Sequence, residues 1–121
     1  MLSTVVTLPL AGLRVLDLAR ALSGPFCSMI LADLGADVVK VEPPDGEAMR
    51  AAAYAVAACQ RGKRSLALDI SVPRARPVLD RLLAGADVVL HNFRVGVAER
   101  LGIGDLQLIQ RVETATDVAE E

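Results

Sequence analysis

Three consecutive residues late in the chain, Asn92, Phe93 and Arg94, combine an amide, an aromatic ring and a guanidinium. Arginine binds phosphate through two parallel hydrogen bonds and also stacks on planar rings, so this trio is suited to holding a purine and a phosphate. The same residues also fit a plainer role, in which they form a loop before a helix and Phe93 fills the core. Spacing alone leaves the two interpretations equally open.

A second group of cations, Arg61, Lys63 and Arg64, surrounds Gly62 just before a predicted strand. Such a basic turn suits a ligand with a few phosphates, although a solvated loop that only aids solubility is the commoner structure. Arg100 follows the Asn92 loop by a turn or two of predicted helix. Its side chain either reaches back to the same crevice or is an ordinary surface arginine.

The remaining reactive residues point to structure rather than to catalysis. His91 is the only histidine, and no motif puts a nucleophile or a carboxylate beside it, so we expect a structural histidine. Asp17, Asp33 and Asp37 fit polar positions at the ends of strands and helices better than a catalytic pair. Neither G-x-G-x-x-G nor G-x-x-x-x-G-K-[ST] occurs, which disfavours nicotinamide binding. No catalytic residue and no set of metal ligands is predicted.

The hydrophobic pattern indicates the elements that must position these residues. Strands are predicted at Leu13–Leu18, Val38–Val41, Leu66–Ile70 and Asp87–His91, and helices at Pro25–Leu34, Glu47–Cys59 and from Pro73 to Gly85. This alternation predicts an α/β fold, with an open parallel sheet and helices on both faces. Ligands of such sheets bind at the carboxyl ends of the strands. The segments Ala19–Pro25, Glu42–Gly46 and Asn92–Gly96 reach that edge.

Composition limits the kinds of partner. The 121 residues carry a net charge of −2, and residues 61–100 hold eight basic and four acidic side chains. That excess is too small, and aromatic residues too few, to favour nucleic acid. No apolar stretch approaches the roughly 20 residues that a membrane span needs. Cys27 and Cys59 have no metal-ligand spacing and are expected to be reduced thiols of a soluble, cytoplasmic protein.

Several blocks of the sequence resemble, in order and spacing, the start of the family III CoA-transferases, also called the CaiB/BaiF family. The family includes formyl-CoA transferase and α-methylacyl-CoA racemase. The blocks are Leu10–Leu18, Gly24–Pro25, Leu31–Pro44, Arg61–Asp69, Ala86–Leu90, Asn92–Arg94 and Arg100–Gly102. The resemblance runs from about Leu8 to Leu108, which is most of this chain and only the opening portion of a family member.

The resemblance implies a Rossmann-like region that binds coenzyme A, in a subunit that interlocks with a second copy. Acyl-CoA and a carboxylic acid are the implied substrates, and no permanently bound cofactor is implied. Carried over position by position, the expected CoA contacts lie after the third strand, in the Asn92 loop and in the helix that follows it. They are Leu68, Asp69, Ile70, Ser71, Asn92, Phe93, Arg94 and Arg100.

The chain also departs from the family pattern. Pro43 stands where some members have an arginine, and Val95 replaces a common proline. We expect residues 1–108 to be the CoA-binding part and residues 109–121 to be an acidic, divergent tail. The family's nucleophilic aspartate lies beyond the matching part, so we expect no transferase activity from this chain alone. The alternative function is a stand-alone or vestigial CoA- or nucleotide-binding module.

Overall fold

A computed structural model describes residues 7–108, which form four parallel strands and four main helices, with a further helical turn at residues 105–108. In chain order these are β1 (Arg14–Asp17), α1 (Ser23–Asp33), β2 (Asp37–Glu42), α2 (Ala53–Gln60), β3 (Lys63–Ala67), α3 (Arg76–Gly85), β4 (Val88–Leu90) and α4 (Val97–Arg100). Short 3-10 segments, Ala48–Ala51 and Pro73–Ala75, precede α2 and α3. The strand order is β3-β2-β1-β4, and every neighbouring pair is parallel. The predicted α/β fold class is therefore confirmed.

Helices cover both faces of the sheet. Because successive residues of a strand point to opposite sides, each core strand contributes side chains to both layers of contact. On one face Val15 of β1 packs with Val38 of β2 and with Leu31 of α1. On the other face Leu16 belongs to a larger apolar cluster that includes Leu79 of α3. Both core strands, β1 and β2, are thus buried on two sides, which is typical of parallel sheets.

Helix α1 ends where the sequence predicts. Gly35 has a φ of +103°, a conformation that glycine adopts at little cost. Its N–H donates to the carbonyl of Ala32 at 2.9 Å, and the next N–H, of Ala36, donates to that of Leu31 at 3.0 Å. These bonds close the last turn and direct the chain into β2.

The third strand begins earlier than the hydrophobic pattern predicts. It was expected at Leu66–Ile70 and lies at Lys63–Ala67, paired with β2 from Val38 to Glu42. Proline cannot extend the ladder, so β2 ends before Pro43, and the N–H of Leu68 makes the last bond, to the carbonyl of Glu42 at 2.8 Å. Residues 68–70 consequently pass the edge of the sheet as a loop.

Helix α1 is apolar on its outer side as well as on its inner side. Leu22, Phe26, Ile30 and Leu34 recur every four residues, and each leaves between 40% and 53% of its surface exposed. No charged residue lies between Arg20 and Asp33. Helix α3 instead buries Leu79 and Leu83 and leaves its charged side to solvent, as an ordinary surface helix does.

Two expectations about the whole chain can be checked within residues 7–108. Both cysteines are free, Cys27 exposed and Cys59 buried. None of the described helices is long and apolar enough to cross a membrane. The predicted acidic tail, residues 109–121, lies outside the described residues.

Candidate functional site

A cleft of about 680 Å³ lies at the carboxyl edge of the sheet. All eight residues that were expected to contact CoA line it: Leu68, Asp69, Ile70, Ser71, Asn92, Phe93, Arg94 and Arg100. The volume is within the range of small-molecule sites. The structure thus brings the eight residues to one place, and their contact with CoA stays a prediction.

The walls of the cleft come from the segments that follow all four strands. Leu18 and Arg20 follow β1, Pro43 follows β2, and the Leu68–Ser71 loop follows β3. The Asn92–Arg94 loop follows β4. Because all four strands are parallel, their carboxyl ends meet at one edge, which is where ligands of open α/β sheets bind.

Three arginines, Arg20, Arg94 and Arg100, line the cleft. Within residues 7–108 none of them forms an ion pair. In contrast, Arg14 and Arg64 lie away from the cleft and bind the carboxylates of neighbouring elements. An arginine without an internal partner keeps its donors free for an anion, so the cleft is equipped for phosphate.

The position of Phe93 is compatible with both roles that the sequence left open. Its ring is partly buried against the α3 side of the core, and it also lines the cleft. It stacks on the imidazole of His91, with ring centres 5.2 Å apart and planes 18° apart, and the Arg20 guanidinium lies 6.0 Å from its centre. His91 Nδ1 accepts a long hydrogen bond of 3.4 Å from the Phe93 N–H, which agrees with a structural histidine.

Asn92 is committed to the backbone of Arg20. Its Oδ1 accepts from the Arg20 N–H at 2.8 Å, and its Nδ2 donates to the Arg20 carbonyl at 2.8 Å. The amide therefore joins the loop after β4 to the loop after β1. Sequence patterns suggested that Asn92 is free to bind a purine, and they contain no sign of these two bonds to Arg20.

Asp69 and Ser71 shape the loop after β3. The Asp69 carboxylate accepts from the Ser71 hydroxyl at 2.5 Å and from the Ser71 N–H at 3.0 Å. These two bonds, the hydroxyl contributing most, lower the pKa of Asp69 below its ordinary value. Asp69 is thus ionised at neutral pH and adds one negative charge to a cleft rich in arginine.

The basic segment at Arg61–Arg64 is not part of the cleft. Arg61 binds Asp33 at 2.6 Å, and Arg64 binds Asp37 at 2.6 Å. Both arginines are exposed and paired with a carboxylate, and phosphate binding by this turn stays a prediction. Arg61 lies beside a carboxylate of α1, and the pairing of β3 with β2 places Arg64 beside a carboxylate of β2.

Lys63, from the same segment, forms a buried ion pair on the α1 side of the sheet. Its Nζ lies 3.1 Å from Asp17 Oδ2 and 2.8 Å from the carbonyl of Pro25. Burial lowers the pKa of Lys63, while the adjacent carboxylate of Asp17 acts in the opposite direction. Asp17 also accepts from the Ser28 hydroxyl at 2.5 Å. Its assignment as a strand-end polar residue holds, but sequence patterns gave no sign of its buried partner.

A second buried lysine holds the loop between β1 and α1. Lys40 Nζ donates to the carbonyl of Ala19, and it lies 3.9 Å from Asp17 and 3.6 Å from Glu47. Glu47 in turn accepts from the N–H of Ala21 at 2.6 Å. The buried side chains of Lys40 and Glu47 therefore hold the backbone of residues 19–21.

Sequence reasoning marked the segment Ala19–Pro25 as reaching the cleft but did not single out Arg20. A cation two residues past a buried parallel strand is a usable signal, because such a position always lies at the ligand-binding edge. Among the described residues, no group of three or more histidine, cysteine or carboxylate side chains is arranged to hold a metal ion.

A sequence model of the CoA-transferase family III matches residues 10–113. The chain belongs to this family. The match begins and ends close to the limits expected from the resemblance, Leu8 and Leu108. The family III chain also shares its fold with solved relatives. A crystal structure of a hypothetical protein from Mycobacterium tuberculosis superposes with a TM-score of 0.79 at 42% identity, covering 86% of this chain and 31% of the other.

Curated relatives of this family III chain differ in their named reactions. The human α-methylacyl-CoA racemase is 45% identical over 102 residues, covering 84% of this chain and 25% of the racemase. The succinyl-CoA:mesaconate CoA-transferase of Haloarcula hispanica is 43% identical over 107 residues, covering 78% of this chain and 27% of the transferase. The chain spans about a quarter of the length of these relatives.

Proposed function

We propose that this chain provides the coenzyme A site of a family III CoA-transferase, and that the cleft at the carboxyl edge holds the CoA. The observation that carries the proposal is that three arginines, which form no ion pair within residues 7–108, converge with an aromatic ring in one cleft. CoA offers phosphates to the guanidiniums and an adenine ring to planar side chains.

The relatives support CoA as the shared ligand. A racemase and a CoA-transferase match this chain at 45% and 43% identity, although their named reactions differ. What their names have in common is a CoA thioester. The region of these relatives that this chain matches is therefore suited to binding CoA, the part of the substrate that their names share.

For the whole protein we propose transfer of CoA between an acyl-CoA and a carboxylic acid, in an interlocked homodimer. The resemblance assigns the nucleophile of that reaction to an aspartate beyond Leu108. We therefore expect the purified chain to bind CoA without transferring it. Acyl transfer from an acyl-CoA to a carboxylic acid by the purified chain would contradict this expectation.

Calorimetric titration of the chain with CoA tests the proposal. We expect saturable binding, and about tenfold weaker binding in Arg94→Ala and in Arg100→Ala, since each removes one charge-assisted contact. Arg81→Ala is the matched control, because Arg81 is an exposed arginine that does not line the cleft. Absence of CoA binding, or equal effects of all three substitutions, would refute the site.

A further inference from the structure

We infer that Arg20 is a phosphate-binding residue of the cleft and that Asn92 is a positioning residue, acting on the ligand through Arg20. This inference rests on the proposed function for the identity of the ligand as CoA. It changes the role expected of Asn92 from a direct contact to a support. It also adds a residue that neither the resemblance nor the sequence pattern had selected.

The backbone of Arg20 is held on both sides of its Cα. Asn92 accepts from its N–H and donates to its carbonyl, both at 2.8 Å. A primary amide that binds the two polar groups of one residue in this way fixes the backbone and hence the direction in which the side chain leaves it. Arg20 is thus held across 72 residues of sequence by a loop from the neighbouring strand β4.

The residues on either side of Arg20 are held as firmly. The N–H of Ala19 donates to Asp17 Oδ1 at 2.9 Å, and its carbonyl accepts from Lys40. The N–H of Ala21 donates to Glu47 at 2.6 Å, and Ala21 has a φ of +60°. A non-glycine residue in this left-handed region is strained, and such strain persists where the surroundings over-determine the backbone, typically at functional sites.

The side chain that this clamp positions forms no ion pair within residues 7–108, although its charge is close enough to Asp69 to help lower the pKa of that carboxyl. The Arg20 guanidinium lines the cleft and lies 6.0 Å from the centre of the Phe93 ring, and no described carboxylate binds it. Two buried lysine–carboxylate contacts and an amide hold the backbone around Arg20, and a solvated arginine does not need a backbone held in this way. They fit a guanidinium that must meet an anion in a set direction, because pre-organisation lowers the entropic cost of binding.

A double-mutant cycle measured by calorimetry with CoA separates the two roles of Asn92. We expect Arg20→Ala to weaken binding about tenfold and Asn92→Ala to weaken it by a similar factor. The double variant should bind no more weakly than Arg20→Ala, since Asn92 has nothing left to position. Losses that multiply would mean that Asn92 contacts CoA directly, which would overturn its positioning role. An unchanged affinity in Arg20→Ala would overturn the role of Arg20.

Two controls keep the outcome interpretable. Arg74→Ala removes an exposed arginine that lies near Asp69 but does not line the cleft, and it should leave the affinity unchanged. Amide hydrogen exchange in Asn92→Ala should accelerate at Arg20 and stay slow at Leu16 of the core strand. Slow exchange at Arg20 would contradict the clamp. Asn92→Ser, which is neutral and too short to bind both backbone groups of Arg20, replaces Asn92→Ala in the cycle if that variant does not fold.

Titration with inorganic pyrophosphate distinguishes this inference from the proposed function. If the chain binds pyrophosphate in an Arg20-dependent way but does not bind CoA, the proposed function fails and the role of Arg20 stands. If it binds CoA and Arg20→Ala binds CoA equally well, the proposed function stands and the inference fails. Binding of neither compound would refute both.

Discussion

At the scale of single residues, Asp17 carries more of the structure than its place in a short apolar run suggests. Its carboxylate is fully buried and lies within 4 Å of two lysines, Lys63 at 3.1 Å and Lys40 at 3.9 Å. Charges removed from water are tolerable only when their partners are present, and losing one partner leaves the others uncompensated. The residue therefore stabilises β1, β2 and β3 together.

We predict that Asp17→Asn lowers the free energy of unfolding by about 3 kcal/mol, because the amide keeps the shape of the side chain and removes its charge. Urea unfolding followed by circular dichroism measures the effect. Asp37→Asn is the matched control, since Asp37 is also a strand carboxylate paired with a β3 cation but its partner Arg64 is 69% exposed. It should cost no more than about 1 kcal/mol. Equal losses in the two variants would contradict the prediction.

At the scale of elements, the start of α1 is set by how closely it approaches the loop after β1. A Cβ on Gly24 would overlap the Cβ of Ala19. Helix α1 begins at Ser23, in contact with the loop after β1. Hydrogen bonds to buried side chains hold that loop, so neither the helix nor the loop can move to make room. Glycine at this position permits the contact, and its φ is not in the left-handed region.

We predict that Gly24→Ala destabilises the fold by about 1–3 kcal/mol, the usual cost of overpacking. Gly85→Ala is the matched control, because Gly85 ends α3 and a Cβ there would meet nothing within 4 Å. It should stabilise the chain by up to about 1 kcal/mol by restricting the unfolded state. Thermal unfolding of the two variants gives the comparison. A Gly24→Ala variant as stable as the native chain would refute the close contact.

The pairing of β1 with β4 is stabilised by a carboxylate as well as by the backbone hydrogen bonds between the two strands. Asp87, just before β4, accepts from the N–H of Arg14 at 2.8 Å and from its guanidinium at 3.1 Å. The bond from the Arg14 side chain is the largest cause that lowers the pKa of Asp87 in the folded state. A carboxylate with a lowered folded pKa stabilises the fold above its unfolded pKa, and this contribution is lost as pH falls through the folded value.

We therefore predict that urea resistance falls as the pH drops below about 4, and that Asp87→Asn makes this fall less steep. The urea midpoint, measured from about pH 6 to pH 2, checks the slope. Asp45→Asn, in the exposed turn after β2, should keep the native slope. An Asp87→Asn variant with the native slope would show that the bond to Arg14 does not contribute to acid sensitivity.

At the scale of the whole molecule, the cleft exists only when all four strands are in register. Its lining includes Arg20 after β1, Pro43 after β2, Ile70 after β3 and Phe93 after β4. A ligand that binds there meets residues separated by more than 70 positions in the sequence. Binding must then oppose unfolding of the entire sheet rather than of one loop.

We predict that CoA raises the free energy of unfolding by about 2.7 kcal/mol at a concentration 100 times its dissociation constant. Thermal unfolding with increasing CoA measures this linkage. NAD⁺ is the control ligand: it shares adenine and pyrophosphate with CoA, but the chain lacks the dinucleotide fingerprint, so it should give a smaller shift than CoA at the same concentration. Binding of CoA by calorimetry without a rise in the unfolding midpoint would mean that CoA binds outside the folded cleft.

Much of the fold was predictable from the sequence because its signals are local. The β-branched run that contains Val38 and Val39 defines β2, and Gly35 and Pro43 mark its limits at the residue level. There are two exceptions. The helix predicted over Glu47–Cys59 is divided into the 3-10 segment Ala48–Ala51 and α2, and the cationic residues Lys63 and Arg64 hid the first half of β3. Charged residues enter a strand when each has a partner, and local patterns contain no information on partners.

The sequence by itself determined the family, the alternation of strands and helices, and the eight residues that meet at the carboxyl edge of the sheet. Only the tertiary structure decided what the polar groups do there. It paired the basic segment with carboxylates, it committed Asn92 to the backbone of Arg20, and it exposed Arg20 to the cleft. The physical reason is that hydrophobic periodicity acts over a few residues, whereas ion pairs and hydrogen bonds depend on which strands become neighbours.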